Sequence, residues 1–164
     1  KSGGCAGEKE ALVAIATEIV NNMEDNCFYI VGTGTTTRAV MEKLELSNTL
    51  LGVDVVYNYQ LVGSDLNESQ ILEMIKDKNT KIIVGIIGGQ GYIFGRGNQQ
   101  ISARVIRKVN KQNIILIAAM EKIASLHKGT LLVDTGDSEV DEMLAGYMQV
   151  TTGFRERTVM KVEI

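Results

Sequence analysis

Lys81-Ile82-Ile83-Val84-Gly85-Ile86-Ile87 runs directly into Gly88-Gly89-Gln90-Gly91-Tyr92-Ile93-Phe94-Gly95-Arg96-Gly97-Asn98-Gln99-Gln100-Ile101-Ser102. The first part is a β-branched apolar run and reads as a buried strand. The second carries five glycines from Gly88 to Gly97 and opens into an amphipathic helix predicted over 99–109. Glycine loses more backbone freedom on folding than any other residue, so this density marks repeated turns through positive φ or a ligand close to the main chain. With Arg96 at its centre and a helix start at its end, the loop has the chemistry of an anion site. Its candidate contacts are Gly88, Gly89, Gln90, Gly91, Gly95, Arg96, Gly97 and Asn98, with Arg96 offering a planar fork to a phosphate. A tight structural turn is the competing reading.

The same order recurs upstream. Cys27 to Val31 is a short, continuously apolar strand, as in a sheet covered on both faces. Gly32-Thr33-Gly34-Thr35-Thr36-Thr37 follows and leads into a helix through Leu44. Here a threonine is expected to cap the helix and leave amides and hydroxyls facing outward, a second candidate phosphate or carboxylate site. No lysine stands where a P-loop needs one, and the third glycine of a dinucleotide fingerprint is missing. Leu50 to Val56 is the next strand, with Asp54 planted inside it. A carboxylate there is costly unless paired or near the strand end, so Asp54 is either a site residue or a hydrogen-bond acceptor for loop amides.

The remaining elements are ordinary. Glu8 to Met23 is predicted as a helix, burying Leu12, Ile15, Ala16, Ile19, Val20 and Met23, with Glu18 on the opposite face. Tyr57 to Gly63 reads as a connector, and Asp65-Leu66-Asn67-Glu68 as a capping box for a helix ending near Lys78. Arg104, Arg107, Lys108 and Lys111 read as solvated cations near a helix C-terminus. Asn113 to Ala119 is a strand, Met120 to Leu126 a short helix, and His127 a surface residue. Thr130 to Val133 is the last parallel strand. The Asp134-Thr135-Gly136 that follows is not an aspartic-protease motif, because it ends a strand of an alternating α/β chain, and Asp137 or Ser138 caps the next helix. Tyr147 to Thr152 and Thr158 to Ile164 alternate about a turn and read as an antiparallel hairpin.

Strands alternating with helices predict an α/β fold, a mostly parallel sheet with helices on both faces, ending in that hairpin. Ligands of such sheets bind outside the carboxyl ends of the strands. Residues 32–37, Asp54, residues 88–98 and Asp134 with Asp137 are all expected at one such edge. The set lacks a nucleophile–base pair, so it suits binding of a phosphorylated small molecule or nucleotide. Asp54 and Asp134 are the only proton-transfer candidates.

The bulk composition narrows the classes. The chain has 164 residues, 45% hydrophobic and 23% charged, with a formal charge of -3, which suits one soluble domain and disfavours nucleic acid or a membrane surface as partner. No membrane span or signal peptide is visible, so a cytoplasmic location is expected. Two cysteines, Cys5 and Cys27, form no metal or disulfide pattern, and no metal site is predicted. The missing initiator Met points to a fragment of a longer chain, and there is no proline at all.

Four segments carry a resemblance: Gly32 to Thr37, Leu51-Gly-Val-Asp-Val-Val56, Gly88 to Ser102, and Leu132-Val-Asp-Thr-Gly-Asp137. Together they resemble the C-terminal half of the ATP–NAD kinase-like family that includes the acetoin catabolism protein X. The family carries a proline after the Ile-Ser, where this chain has Ala103. The resemblance implies one domain of an ATP-dependent NAD kinase-like phosphotransferase, with ATP and NAD as ligands and Mg entering only with the nucleotide. It also implies a missing N-terminal domain holding the Gly-Gly-Asp-Gly-Thr motif of the kinases. Gly88-Gly89-Gln90-Gly91 has Gln90 where that acid would be and lies in a different context; with half the active site missing, the fragment alone is expected to be inactive. A non-catalytic sugar-phosphate or effector sensor, related to isomerase and CoA-transferase sheets, is the alternative. A structural, dimerising domain forming a homo-oligomer is the third.

Overall fold

The computed structural model describes residues 2–164, with side chains from Gly7 onward; Cys5 lies outside the described side chains. In chain order the elements are α1 (Ser2–Asn21), β1 (Phe28–Val31), α2 (Thr35–Lys43), β2 (Asp54–Tyr57), β3 (Gln60–Gly63), α3 (Glu68–Ile75), β4 (Thr80–Val84) and β5 (Tyr92–Phe94). They continue with α4 (Ala103–Val109), β6 (Ile114–Ile117), α5 (Met120–Ala124), β7 (Leu131–Val133), α6 (Ser138–Leu144), β8 (Gly146–Gly153) and β9 (Glu156–Glu163). All the strands join one mixed sheet in the order β3-β2-β1-β4-β6-β8-β9-β7-β5.

Apolar runs form the central strands because both of their faces are covered. Ile30, Ile82, Val84 and Leu116 point to a core shared with α3, α4 and α6. Their neighbours Tyr29, Val31, Ile83 and Ile117 point to a second core under α1 and α2. Each strand therefore alternates between two apolar environments and reads as continuous in sequence. The β8–β9 hairpin does not. Met148, Val150, Met160 and Val162 face the first core, while Tyr147 and Val159 remain 67% and 60% exposed on the other face. The expected two-sided helical cover is thus complete over the middle of the sheet and extends over the Thr151 end of the hairpin through α1, leaving only its Tyr147 and Val159 positions open.

The sheet is mostly parallel and closes in an antiparallel hairpin, as expected; only the direction of particular strands differs from a simple parallel progression. β1, β4, β6 and β8 pair in parallel, as do β9, β7 and β5. The antiparallel β8–β9 hairpin joins the two sets, so the second set runs opposite to the first. β2 is also antiparallel to β1, and residues 57–63, expected to be a connector, form the turn and strand β3. An apolar run carries no mark of its direction, which is why pattern alone read both as parallel progressions.

The glycine-rich loop also contains a strand. Ile87 N donates to Tyr92 O at 2.7 Å, making Gly88 to Gly91 a tight turn into β5, with Gly88 at φ 71° and Gly91 at φ 100°. A Cβ on Gly91 would lie 2.9 Å from Thr130 O, and one on Gly95 only 1.9 Å from Asp134 O. Close backbone packing against β7 therefore requires both glycines, while Gly88 and Gly89 face open space.

Gly95→Ala, which adds a backbone clash to a φ of +97°, is expected to destabilise by more than ~3 kcal/mol, whereas Gly89→Ala should stay within about 0.5 kcal/mol. Urea denaturation of the two variants separates these outcomes.

Candidate functional site

Each acid singled out in sequence has a structural partner. Asp54 is 2% exposed and accepts from Thr49 N at 2.9 Å, Thr49 Oγ1 at 2.8 Å and Asp65 N at 2.9 Å. It opens the antiparallel strand β2 opposite Val31, so its strand's amino end reaches the edge where β1 ends. Three donors satisfy the carboxylate and hold the loop before β2 in place; this is the hydrogen-bonded alternative left open by sequence. Asp137 caps α6, accepting from Glu139 N at 3.0 Å and Val140 N at 3.2 Å. Its other oxygen accepts from Arg107 Nη2 at 2.8 Å. The Arg107 guanidinium and the capped amides hold the Asp137 carboxyl below the usual carboxylate range, and the pair raises the arginine in turn. Arg107, expected as a solvated cation, is thus tied to α6 and also reaches Glu139. The helix before it is capped by Asn67 with Gln70 in a reciprocal box, one pair later than the motif read from sequence.

Arg96 lies over the Tyr92 ring, 4.4 Å from the ring centroid, with Nη2 3.9 Å from Asp134 Oδ2. Both residues are more than half exposed and stand at the carboxyl ends of β5 and β7. Those strands oppose β1, β4 and β6, so Asp134 and residues 95–98 do not share the expected edge by strand direction. The two groups nevertheless meet: Thr33 Oγ1 donates to Gly97 O at 3.1 Å, and Ile87, after β4, bonds Tyr92 and packs against Gly97. Asn98 is fully buried and braces the loop by donating to Ile93 O at 3.0 Å.

The open site lies at the carboxyl ends of β1, β4 and β6. Gly34, at φ 123°, is the N-cap of α2, and no side chain caps the helix; the expected threonine cap is absent because the cap position falls on a glycine, and Thr37 Oγ1, inside the first turn, donates to Gly34 O. Arg38 N is the first helical amide to bond, to Gly34 O. The amides of Thr35, Thr36 and Thr37 have no acceptor among the described residues, and they carry the positive end of the helix dipole. Thr35 and Thr36 line a cavity of ≈ 310 Å³. Its other walls include Ile86 after β4, Ala118 and Ala119 after β6, Lys122 and Ser125 on α5, and Glu8 on α1. Lys122 makes no ion pair among the described residues.

Comparison with known sequences gives the family of the chain. The profile of the ATP-NAD kinase C-terminal domain matches residues 24–162. The chain belongs to that family. No curated protein and no solved structure matches it. The family assignment agrees with the resemblance read from residues 32–37, 51–56, 88–102 and 132–137, and makes this a nucleotide-kinase-like domain.

Sequence reasoning missed Lys122, which reads as one more surface cation on a short helix; only the adjacency of β4 and β6 brings α5 beside the start of α2. It also misplaced Glu18, expected on the solvent face but only 6% exposed. His127 is exposed, as expected. Burial pushes the Cys27 thiol up, leaving it a protonated core group. No metal-binding cluster of His, Cys, Asp and Glu occurs among the described residues, and no described helix is long and apolar enough to cross a membrane.

Asp54→Ala is expected to lower stability by about 2–4 kcal/mol, since three donors lose their acceptor, and to move the urea midpoint without changing the slope. Because the folded-state pKa of Asp137 is depressed, its contribution is present above the unfolded pKa and is lost as pH falls through the folded one. Asp137→Asn should therefore flatten the acid limb of a stability–pH profile and leave the neutral region parallel to wild type.

Proposed function

We propose that this domain binds the phosphates of a nucleotide, ATP or NAD, at the start of α2, as the C-terminal part of an ATP-dependent NAD kinase-like enzyme. One observation carries the reading: an uncapped helix N-terminus and an unpaired lysine open into the same cavity. Amides of Thr35 and Thr36 suit phosphate oxygens, and Lys122 supplies a point charge. Thr33, fixed to Gly97, ties that helix start to the glycine-rich loop. Glu8 of α1 and Glu121 of α5, both lining the cavity, offer acceptors for sugar hydroxyls. Magnesium would enter with the nucleotide phosphates rather than on a protein cage.

The side chains described here bind and orient; they include no nucleophile–base pair. Residues outside this domain therefore supply the acid for phosphoryl transfer, and the domain by itself does not turn over. The alternative, an effector-sensing domain for sugar phosphates, predicts a different ligand at the same helix start.

Thermal unfolding with NAD, NADP, ATP and simple sugar phosphates tests the reading. A ligand at 100 times its dissociation constant should stabilise the fold by about 2.7 kcal/mol. Lys122→Ala is expected to weaken nucleotide binding roughly tenfold, and Arg96→Ala, already stacked and paired, much less. A response to sugar phosphates alone would favour the sensor, and loss of binding in Arg96→Ala but not Lys122→Ala would move the site to the β5 loop.

A further inference from the structure

A second cavity, of ≈ 190 Å³, lies between α1 and the outer face of the sheet and shares no lining residue with the first. Its polar wall consists of Glu18 and Asn22 from α1, Gln149 and Thr151 from β8, and Arg157 from β9. Its apolar wall includes Ile115 of β6. Thr151 and Arg157 stand directly opposite each other in the hairpin register, and Gln149 is one pleat along on the same face.

Glu18 is a charge in an unusual place. Its carboxylate accepts from Arg155 N at 3.0 Å and from Asn22 Nδ2 at 3.1 Å, which fixes its orientation. Its formal counter-charge, Arg157 Nη2, stands 3.6 Å from Oε2, too far for a hydrogen bond. The guanidinium is half exposed and the Gln149 side chain is exposed, so both stand at the mouth of the cavity, while the Thr151 hydroxyl makes no hydrogen bond among the described residues. Thr151 is only 7% exposed, so its unpaired hydroxyl opens chiefly toward this cavity. The buried part of the wall is thus a carboxylate held by Arg155 N and Asn22 beside a free hydroxyl, with the longer side chains reaching solvent at the rim.

The wall presents an acceptor and a donor of full charge side by side, with a neutral hydroxyl and amide beyond them. A simple anion would meet Glu18, and a simple cation would meet Arg157. A ligand carrying both charges avoids each repulsion, with its ammonium on Glu18 and its carboxylate on Arg157 and Thr151. The volume is below the ~300–1,000 Å³ of sites for drug-sized ligands, which excludes a nucleotide and admits a short apolar side chain against Ile115. We infer that this cavity is a binding site for a small α-amino acid, separate from the nucleotide site. Since Glu8 on the same helix lines the first cavity, α1 borders both.

Calorimetric titration of the chain with glycine, alanine and valine, beside acetate and ethylamine as single-charge probes, tests the assignment. The amino acids should bind while acetate and ethylamine at equal concentration do not. Thr151→Val, which keeps volume and leaves the Glu18–Arg157 pair intact, should weaken binding roughly five- to tenfold, as expected for one lost hydrogen bond. Gln149→Ala should weaken it further, with the thermal midpoint of the free protein unchanged. Binding of acetate as tight as that of alanine would reduce the cavity to an anion crevice and overturn the inference. Absence of heat from every amino acid, with the fold intact by circular dichroism, would overturn it equally. Lys122→Ala should leave these titrations unaffected, so failure here is distinguishable from failure of the nucleotide reading.

Discussion

The β8–β9 ladder holds the sheet together. β8 pairs with β6 in one parallel set and β9 pairs with β7 in the other, and their mutual antiparallel register runs from Gly146↔Val162 to Gly153↔Glu156. Its alternating inner residues, Met148, Val150, Met160 and Val162, bridge the core beneath both sets. Loss of that register by one residue would turn those side chains outward and expose the core. Because the ladder reverses strand direction, it also decides which loops can meet. The carboxyl ends of β1, β4 and β6 gather the start of α2 with α5, while Arg96 and Asp134 belong to the opposed strands.

Much of this was legible in the chain. The apolar runs of β1, β4 and β6, the closing hairpin and the Asp137 cap all follow from local patterns whose causes are local. What stayed hidden depends on distance. Glu18 is buried because it reaches Arg155 and Arg157 at the far end of the chain, and no spacing rule connects them. β5 is three residues long and sits among glycines, so its strand character comes from pairing with β7 rather than from propensity.

The glycines show the same limit from another side. A bare backbone is needed equally for a ligand and for a neighbouring strand, and sequence cannot separate the two. Gly91 and Gly95 serve the packing of β5 on β7. At Gly32, a Cβ would lie 2.9 Å from Val84 Cγ1, so close strand packing accounts for it too. The threonines after Gly34 tell a different story. Their amides lack acceptors because the N-cap position has no side chain to cover them, and a glycine there both permits the turn and leaves the helix end open.

Backbone amide shifts during titration with ATP and with NAD test the placement of the nucleotide most directly. The expected result is a perturbation centred on Thr35, Thr36 and Thr37, extending to Ala119 and Ser125 across the cavity. Shifts confined to Gly88–Gln90 and Arg96–Asn98, with Thr35–Thr37 unmoved, would contradict it and return the site to the glycine-rich loop.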